Sequence, residues 1–151
     1  MEPEVVERER LLLAGITNCG KDVTAIDIGG LWSIYGTSEA GIPNRVDGAW
    51  YELHIGKKLG NGIYSVTAGV EVSEVGELPI ELSLKVVPAG WYAHFAHCMK
   101  DGGYGHAFAQ VEAWVKESGT ALRDFGLQLY DQDFDPENEE SILHIYIPLS
   151  R

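Results

Sequence analysis

The stretch WYELHIGKKLGNGIYSVTAGVEV, residues 50–72, decides the fold because both of its arms alternate with a period of two. Such alternation is typical of strands, and residues 57–62 between the arms contain Gly60-Asn-Gly62, a typical hairpin turn. The first arm alternates Tyr51, Leu53 and Ile55 with Trp50, Glu52 and His54, and the second alternates Val66, Ala68, Val70 and Val72 with Ser65, Thr67, Gly69 and Glu71. The stretch predicts a hairpin with one apolar and one polar face.

The residues before this hairpin predict one strand and one helix. Residues 5–16 are mostly apolar after a charged alternation, which predicts a long first strand. Residues 22–35 place apolar side chains at helical spacing, and Asp22 is the expected N-cap. Gly29 and Gly30 weaken this helix, since glycine costs about 1 kcal/mol relative to alanine in a helix interior.

The second half of the chain repeats the order of the first. Its predicted elements are a strand at 82–87, a bend at Pro88-Ala-Gly90, a continuation at 91–98, a helix at 104–118, and strands at 127–134 and 141–149. Gly119 is a fitting end for the helix.

The order strand, helix, strand, strand therefore occurs twice, in pseudo-repeats at about 4–75 and 80–150 within a single domain, residues 1–151. We expect an α+β fold in which the two tandem repeats form antiparallel sheets with both helices on one side. The other faces of the sheets would line a ligand cleft between the halves, because pockets favour such junctions.

Composition limits the classes of function. The 151 residues carry a formal net charge of −12, which argues against binding to DNA or anionic membranes and favours cationic ligands. No apolar run is long enough to span a membrane, and the acidic N-terminus is unlike a signal peptide. Because Cys19 and Cys98 are the only cysteines, we expect reduced thiols and a cytoplasmic location.

Neither a metal nor a cofactor is expected. Residues 131–140 have calcium-loop spacing, but Pro136 occupies the glycine position, so we interpret them as a solvated acidic loop. Four side chains are zinc ligands in type: His94, His97, Cys98 and His106. His94 and His97 have opposite parity on the predicted strand, so their side chains are expected on opposite faces and not at one metal ion.

Five short motifs, taken with the duplicated order, resemble the GyrI-like small-molecule-binding domain, the effector-binding domain of AraC- and MerR-type regulators. The motifs are Leu31-Trp32-x-x-Tyr35, Tyr64-x-x-x-Ala-Gly-Val-Glu-Val72, Pro88-Ala-Gly-x-Tyr-Ala-x-Phe-x-His97, Tyr130-Asp-x-x-Phe134 and Ile145-Tyr-Ile-Pro148. The resemblance implies a cleft for flat, lipophilic, often cationic compounds, with stacking aromatic residues and a buried carboxylate. The resembled domain takes up nearly all of this sequence and leaves no room for a helix-turn-helix, so direct DNA binding is not expected.

The sequence departs from the resembled family at the carboxylates. His144 stands where members often carry glutamate before the terminal motif, and Gln128 stands at the second glutamate position. Glu71, Glu52 or both are the candidates to replace the missing carboxylate. His144 is also a candidate acid or base, since imidazole exchanges protons near neutral pH.

Three functions remain open from the sequence. The first is a stand-alone binding protein for lipophilic, cationic or polycyclic compounds, acting in drug sensing or sequestration. The others, which the resemblance implies, are a hydrolase that opens strained cyclopropane rings and a protein-interaction module such as a gyrase inhibitor. The oligomeric state is not determined.

The candidate catalytic residues are Glu71 and His144. The candidate ligand-binding residues are Trp32, Tyr35, Trp50, Glu52, His54, Gly69, Glu71, Tyr92, Gln128, His144 and Tyr146. For each of them the alternative is an ordinary place in the core or on the surface.

Overall fold

A computed structural model describes residues 2–56, 63–121 and 123–150. The strands are β1 (Glu4–Arg8), β2 (Leu11–Gly20), β3 (Ala49–Ile55), β4 (Tyr64–Glu71), β5 (Ser83–Val87), β6 (Gly90–Cys98), β7 (Phe125–Asp131) and β8 (Ile142–Pro148). The helices are α1 (Ile28–Ser38) and α2 (Tyr104–Ser118). The predicted α+β class is confirmed, and the predicted turn at residues 57–62 lies outside the described residues.

All eight strands join one antiparallel sheet in the order β1-β6-β8-β7-β3-β4-β2-β5. The β3–β7 pair at its centre joins the two halves of the chain. Each edge strand pairs with a strand from the other half of the chain, since β1 pairs with β6 and β5 pairs with β2. The expected sheets of the two halves are therefore one continuous sheet, while the division into pseudo-repeats stays a prediction.

The predicted first strand, residues 5–16, is two strands. β1 pairs with β6, whereas β2 pairs with β4 and β5. The chain changes partner at Glu9 and Arg10, which are both exposed. A pattern of apolar residues indicates burial but not which strand is the partner. The sequence pattern therefore did not predict this break.

The predicted helix at residues 22–35 also divides in two. Asp22 caps a short 3-10 turn, Val23–Ala25, by accepting from the backbone N–H of Thr24 at 2.9 Å. Asp27 then caps α1, because its side chain accepts from the Gly30 N–H at 3.0 Å. A Cβ at Gly30 would lie 2.4 Å from Oδ2 of Asp27, so this glycine makes room for the cap.

Both helices lie on one face of the sheet, as predicted. Buried side chains under α1 come from β2 and β4, and those under α2 come from β6 and β8. The opposite face has its own apolar cluster: Leu11, Leu13, Tyr51, Leu53, Val87 and Leu127. The sheet is therefore buried on both faces.

The predicted apolar and polar faces of the β3–β4 hairpin are wrong. The observed register pairs Glu52 with Ala68, and Leu53 with Thr67, so the apolar row of one strand adjoins the polar row of the other. Six consecutive residues of β4 are buried. Because both faces are covered, alternation in one strand does not show which side faces the cleft.

Candidate ligand-binding cleft

A cavity of about 630 Å³ lies between α1 and α2, above the middle of the sheet. Its lining residues are Val23, Ile28, Gly29, Trp32, Trp50, Glu52, His54, Tyr104, Phe108, Gln128, Tyr130, Phe134 and Pro136. Residues from both halves contribute, so the cavity lies between the halves as expected. It lies on the helix side of the sheet, however, and not on the opposite face that the sequence predicted.

The floor of the cavity is the junction of β3 and β7. The register places Trp50 opposite Tyr130 and Glu52 opposite Gln128. Because alternate residues of a strand share a face, Trp50, Glu52 and His54 all project toward the helices. One alternating strand therefore supplies an aromatic ring, a carboxylate and an imidazole to the same surface.

Glu52 is the buried carboxylate of this floor, with 5% of its surface exposed. Its Oε2 accepts from Trp32 Nε1 at 2.8 Å and from the Tyr130 hydroxyl at 3.0 Å, and its Oε1 lies 2.9 Å from His54 Nε2. Burial by itself raises the pKa of Glu52, but hydrogen bonds from His54, Trp32 and Tyr130 and the charge of His54 outweigh it. The net effect lowers the pKa below the usual value, so Glu52 is ionised at neutral pH.

His54 connects Glu52 to Tyr64. Its Nε2 faces Glu52, and its Nδ1 lies 2.8 Å from the Tyr64 hydroxyl. A neutral imidazole with its proton on Nε2 donates to Glu52 and accepts from Tyr64. The Nε2 atom also lies 3.1 Å from the amide nitrogen of Gln128, so His54 joins both strands of the floor to Tyr64.

Aromatic rings form the walls. Trp32 meets Tyr130 edge to face with centroids 6.2 Å apart, and Tyr130 meets Phe134 in the same way at 4.9 Å. Tyr104 and Phe108 face them from α2. A cation near such rings is attracted by their negative faces.

Trp50 is held at the side of the cavity by polar contacts. Its Nε1 donates to Oε2 of Glu39 at 2.8 Å, and Glu39 also pairs with Arg45 at 3.4 Å. The indole ring is therefore fixed before any ligand arrives, which lowers the entropy lost on binding.

Five predicted ligand-binding residues line this cavity: Trp32, Trp50, Glu52, His54 and Gln128. Tyr35 does not, because its side chain is 2% exposed and packs in the core under α1. Gly69 does not either, since a Cβ there would lie 2.1 Å from the Ala14 carbonyl oxygen. The close approach that this glycine permits is that of the neighbouring strand β2, not that of a ligand.

The four other predicted residues lie on the opposite face of the sheet: Glu71, Tyr92, His144 and Tyr146. The Tyr92 hydroxyl donates to the Pro88 carbonyl at 2.6 Å, and Tyr146 stacks on His94 with centroids 4.4 Å apart. His144 Nδ1 lies 2.8 Å from His94 Nε2. A catalytic role for Glu71 or His144 stays a prediction, and neither side chain reaches the cavity between the helices.

Sequence reasoning missed Tyr130, Tyr104 and Phe134 as lining residues. Tyr130 has the same parity as Gln128 on β7 and belongs to the fourth motif, so its place on the floor could have been found. Tyr104 and Phe108 are four residues apart on α2 and so share a side. That this side turns toward α1 depends on how the helix packs.

Metal ligands do not cluster in the part of the chain that the structure describes, where no group of three or more His, Cys, Asp or Glu could hold an ion. His97 Nε2 bonds the Gly102 carbonyl at 2.8 Å on the α2 side, while His94 contacts His144 on the other face. Across the described residues, no helix combines the length and the apolar character needed to cross a membrane.

A single antiparallel sheet with two helices over an aromatic, carboxylate-containing cavity defines a small-molecule effector-binding domain of the GyrI-like type. The family model of the Cass2 proteins, integron-associated effector binding proteins, matches residues 4–149. The chain belongs to this family. A comparison with curated proteins gave no significant match.

Solved structures share the fold at low sequence identity. SAV2435 bound to tetraphenylphosphonium has a TM-score of 0.78 and 18% identity, over 99% of this chain and 94% of that one. The C-terminal domain of EcmrR has a TM-score of 0.72 and 14% identity, over 99% and 98%. A hydrolase encoded by lin2189 from Listeria innocua has a TM-score of 0.58 and 12% identity, over 99% and 92%. At these identities the likeness shows the fold alone.

Proposed function

We propose that this protein binds lipophilic organic cations in the cavity between α1 and α2, and that Glu52 faces their positive charge. One observation carries the proposal: an ionised carboxylate lies buried at the floor of an aromatic cavity. A carboxylate surrounded by apolar walls attracts a cation more strongly than one in water, because little solvent screens it.

The place of Glu52 supports this proposal. Members of the resembled family often carry a glutamate at the position of Gln128. In this protein Glu52 lies directly opposite Gln128 in the β3–β7 pair. The carboxylate thus occupies the neighbouring strand at the same level of the floor. The relative SAV2435, solved with tetraphenylphosphonium, is a further support for a cationic ligand.

We propose drug sensing or sequestration as the physiological use, in the cytoplasm. The net charge of −12 favours cationic ligands over nucleic acid, and Cys19 and Cys98 are both free. Direct DNA binding is not part of this proposal.

The test is isothermal titration with tetraphenylphosphonium and with neutral triphenylphosphine oxide. Glu52→Gln keeps the size of the side chain and removes the charge, and Glu71→Gln makes the same change on the opposite face. Since interactions with a charged group contribute about 1.5–3 kcal/mol, we expect Glu52→Gln to weaken cation binding by roughly 10- to 150-fold. Binding of the neutral oxide stays within a few-fold.

Glu71→Gln is the matched control and keeps the wild-type affinity for both compounds. Urea unfolding of each variant shows whether the fold survives. If Glu52→Gln is folded and binds the cation as well as wild type does, Glu52 is not the anionic group and the proposal fails.

One observation favours a second candidate function, the hydrolysis of strained electrophiles. Glu52 and His54 lie 2.9 Å apart inside the cavity, and such a pair can orient and deprotonate a water molecule. Mass spectrometry after incubation with cyclopropane-bearing electrophiles tests it. An enzyme gives a product heavier by one water, and Glu52→Gln abolishes that product while the substrate still binds.

A further inference from the structure

The cleft continues past His54 and Gln128 into a second cavity of about 810 Å³. The two cavities share four lining residues: Val23, His54, Phe108 and Gln128. Because His54 also contacts Glu52, the second cavity begins next to the carboxylate.

Gly126 on β7 lines the second cavity and leaves space there, because it carries no side chain. In the register, Gly126 lies directly opposite His54 and on the same face as Gln128. A Cβ built at Gly126 would have one neighbour within 4 Å, the Cδ1 atom of Ile147 at 3.8 Å. The space between this part of β7 and α2 is therefore open to other atoms.

The chemistry of the second cavity differs from that of the first. The second cavity is lined by the aliphatic side chains of Val111, Val115, Ile145 and Ile147, beside the rings of Tyr64, Phe108 and Phe125. Four exposed charged residues stand at its rim, the acids Glu112 and Asp124 and the bases Lys116 and Arg123. Their formal charges cancel, so this end favours uncharged hydrocarbon over an ion of either sign.

We propose that the ligand is an elongated cationic amphiphile, with its charged head at Glu52 and its hydrocarbon tail in the second cavity over Gly126. This inference rests on the proposed function and deepens it. A tail that enters this cavity leaves water, and each buried methylene strengthens binding by about fourfold.

The experiment is isothermal titration with a series of alkyltriphenylphosphonium ions, from methyl through butyl and hexyl to octyl, each below its micelle concentration. With the wild-type protein, affinity rises with chain length at a stoichiometry of one. Gly126→Phe fills the second cavity, so the gain from the longer chains disappears while the methyl compound binds as before. Gly126→Ala is the matched control and keeps the gain, because its Cβ makes only an ordinary contact.

Val115→Trp is an independent variant in case Gly126→Phe does not fold. Val115 lies on α2 and lines the second cavity but not the first, so the same loss of chain-length dependence is expected.

The outcomes separate the two proposals. If no member of the series binds, the proposed function fails and the inference with it. If the methyl compound binds and the longer chains bind no better, the inference is wrong and the function stands. A chain-length gain that survives in both folded variants places the tail elsewhere and also overturns the inference.

Discussion

Cation affinity should fall only in acid, because a proton and a bound cation compete for the Glu52 carboxylate. Glu52 Oε1 lies 2.9 Å from His54 Nε2, and its Oε2 accepts hydrogen bonds from Trp32 and Tyr130. Burial raises the pKa of Glu52, but the hydrogen bonds from these three side chains outweigh it and lower the pKa below the usual value. The carboxylate therefore stays charged, and the cation stays bound, to a lower pH than at an ordinary glutamate.

The magnitude follows from the number of protons exchanged at the carboxylate. Burial raises the pKa values of the nearby phenols Tyr64, Tyr104 and Tyr130, which keeps them neutral. Glu52 exchanges one proton, so the dissociation constant of the cation rises by at most about tenfold for each pH unit below the pKa of Glu52. Removing a hydrogen-bond donor from Glu52 raises this pKa and moves the loss of affinity to a higher pH.

Isothermal titration of tetraphenylphosphonium from about pH 7 down to about pH 4, where an ordinary glutamate titrates, measures the pH at which affinity falls. Tyr130→Phe keeps the ring but removes the hydroxyl that donates to Oε2 of Glu52 at 3.0 Å, so we expect affinity to fall at a higher pH than in wild type. Glu71→Gln, on the other face, keeps the wild-type profile.

Two results would refute this reasoning. A wild-type affinity that already falls well above the usual pKa of a glutamate shows that Glu52 does not control binding. An unchanged pH profile in folded Tyr130→Phe shows that the hydrogen-bond donors do not hold Glu52 in its charged form.

Three further predictions concern stability, measured by urea unfolding. Gly69→Ala places a Cβ 2.1 Å from the Ala14 carbonyl oxygen, so we expect it to lower the free energy of unfolding by about 1–3 kcal/mol. Gly36→Ala, in an exposed and open helical position, should raise the free energy of unfolding by about 0.5–1 kcal/mol. Equal stability of the Gly69→Ala variant and wild type would contradict the close contact of β2 and β4. Burial and the neighbouring His144 lower the pKa of His94; the unfolded chain therefore takes up the proton first, and stability falls as the pH drops below about 6.5. His94→Gln should lose less stability than wild type between pH 7.5 and pH 5, and an identical loss would exclude His94 as the cause.

The helix α2 shows what sequence alone could predict. Its apolar stripe, which includes Phe108 and Val111, predicted residues 104–118, and the structure has the same bounds. Gly119 ends it with a φ of 62°, a conformation that glycine adopts without strain. These signals are local, because helix spacing and capping involve residues within a few positions of one another.

The break between β1 and β2 shows where local signals stop. Both segments are extended, so their composition does not reveal that one pairs with β6 and the other with β4 and β5. The β3–β4 register shows the same limit. The observed pairing places Glu71 on the face of the sheet opposite the cavity, and alternation within β4 did not reveal this. Pairing is set by residues tens of positions away and by burial on both faces of the sheet.

The sequence by itself determined that Trp50, Glu52 and His54 share one face, because a strand has a period of two. It also determined the net charge and the bounds of α2. Only the tertiary structure decided that this face is the floor of a cavity. It does so by pairing β3 with β7 and by bringing Trp32 and Tyr130 to Glu52 from 20 and 78 residues away. A buried carboxylate needs such donors to remain charged, and only the packed chain provides them.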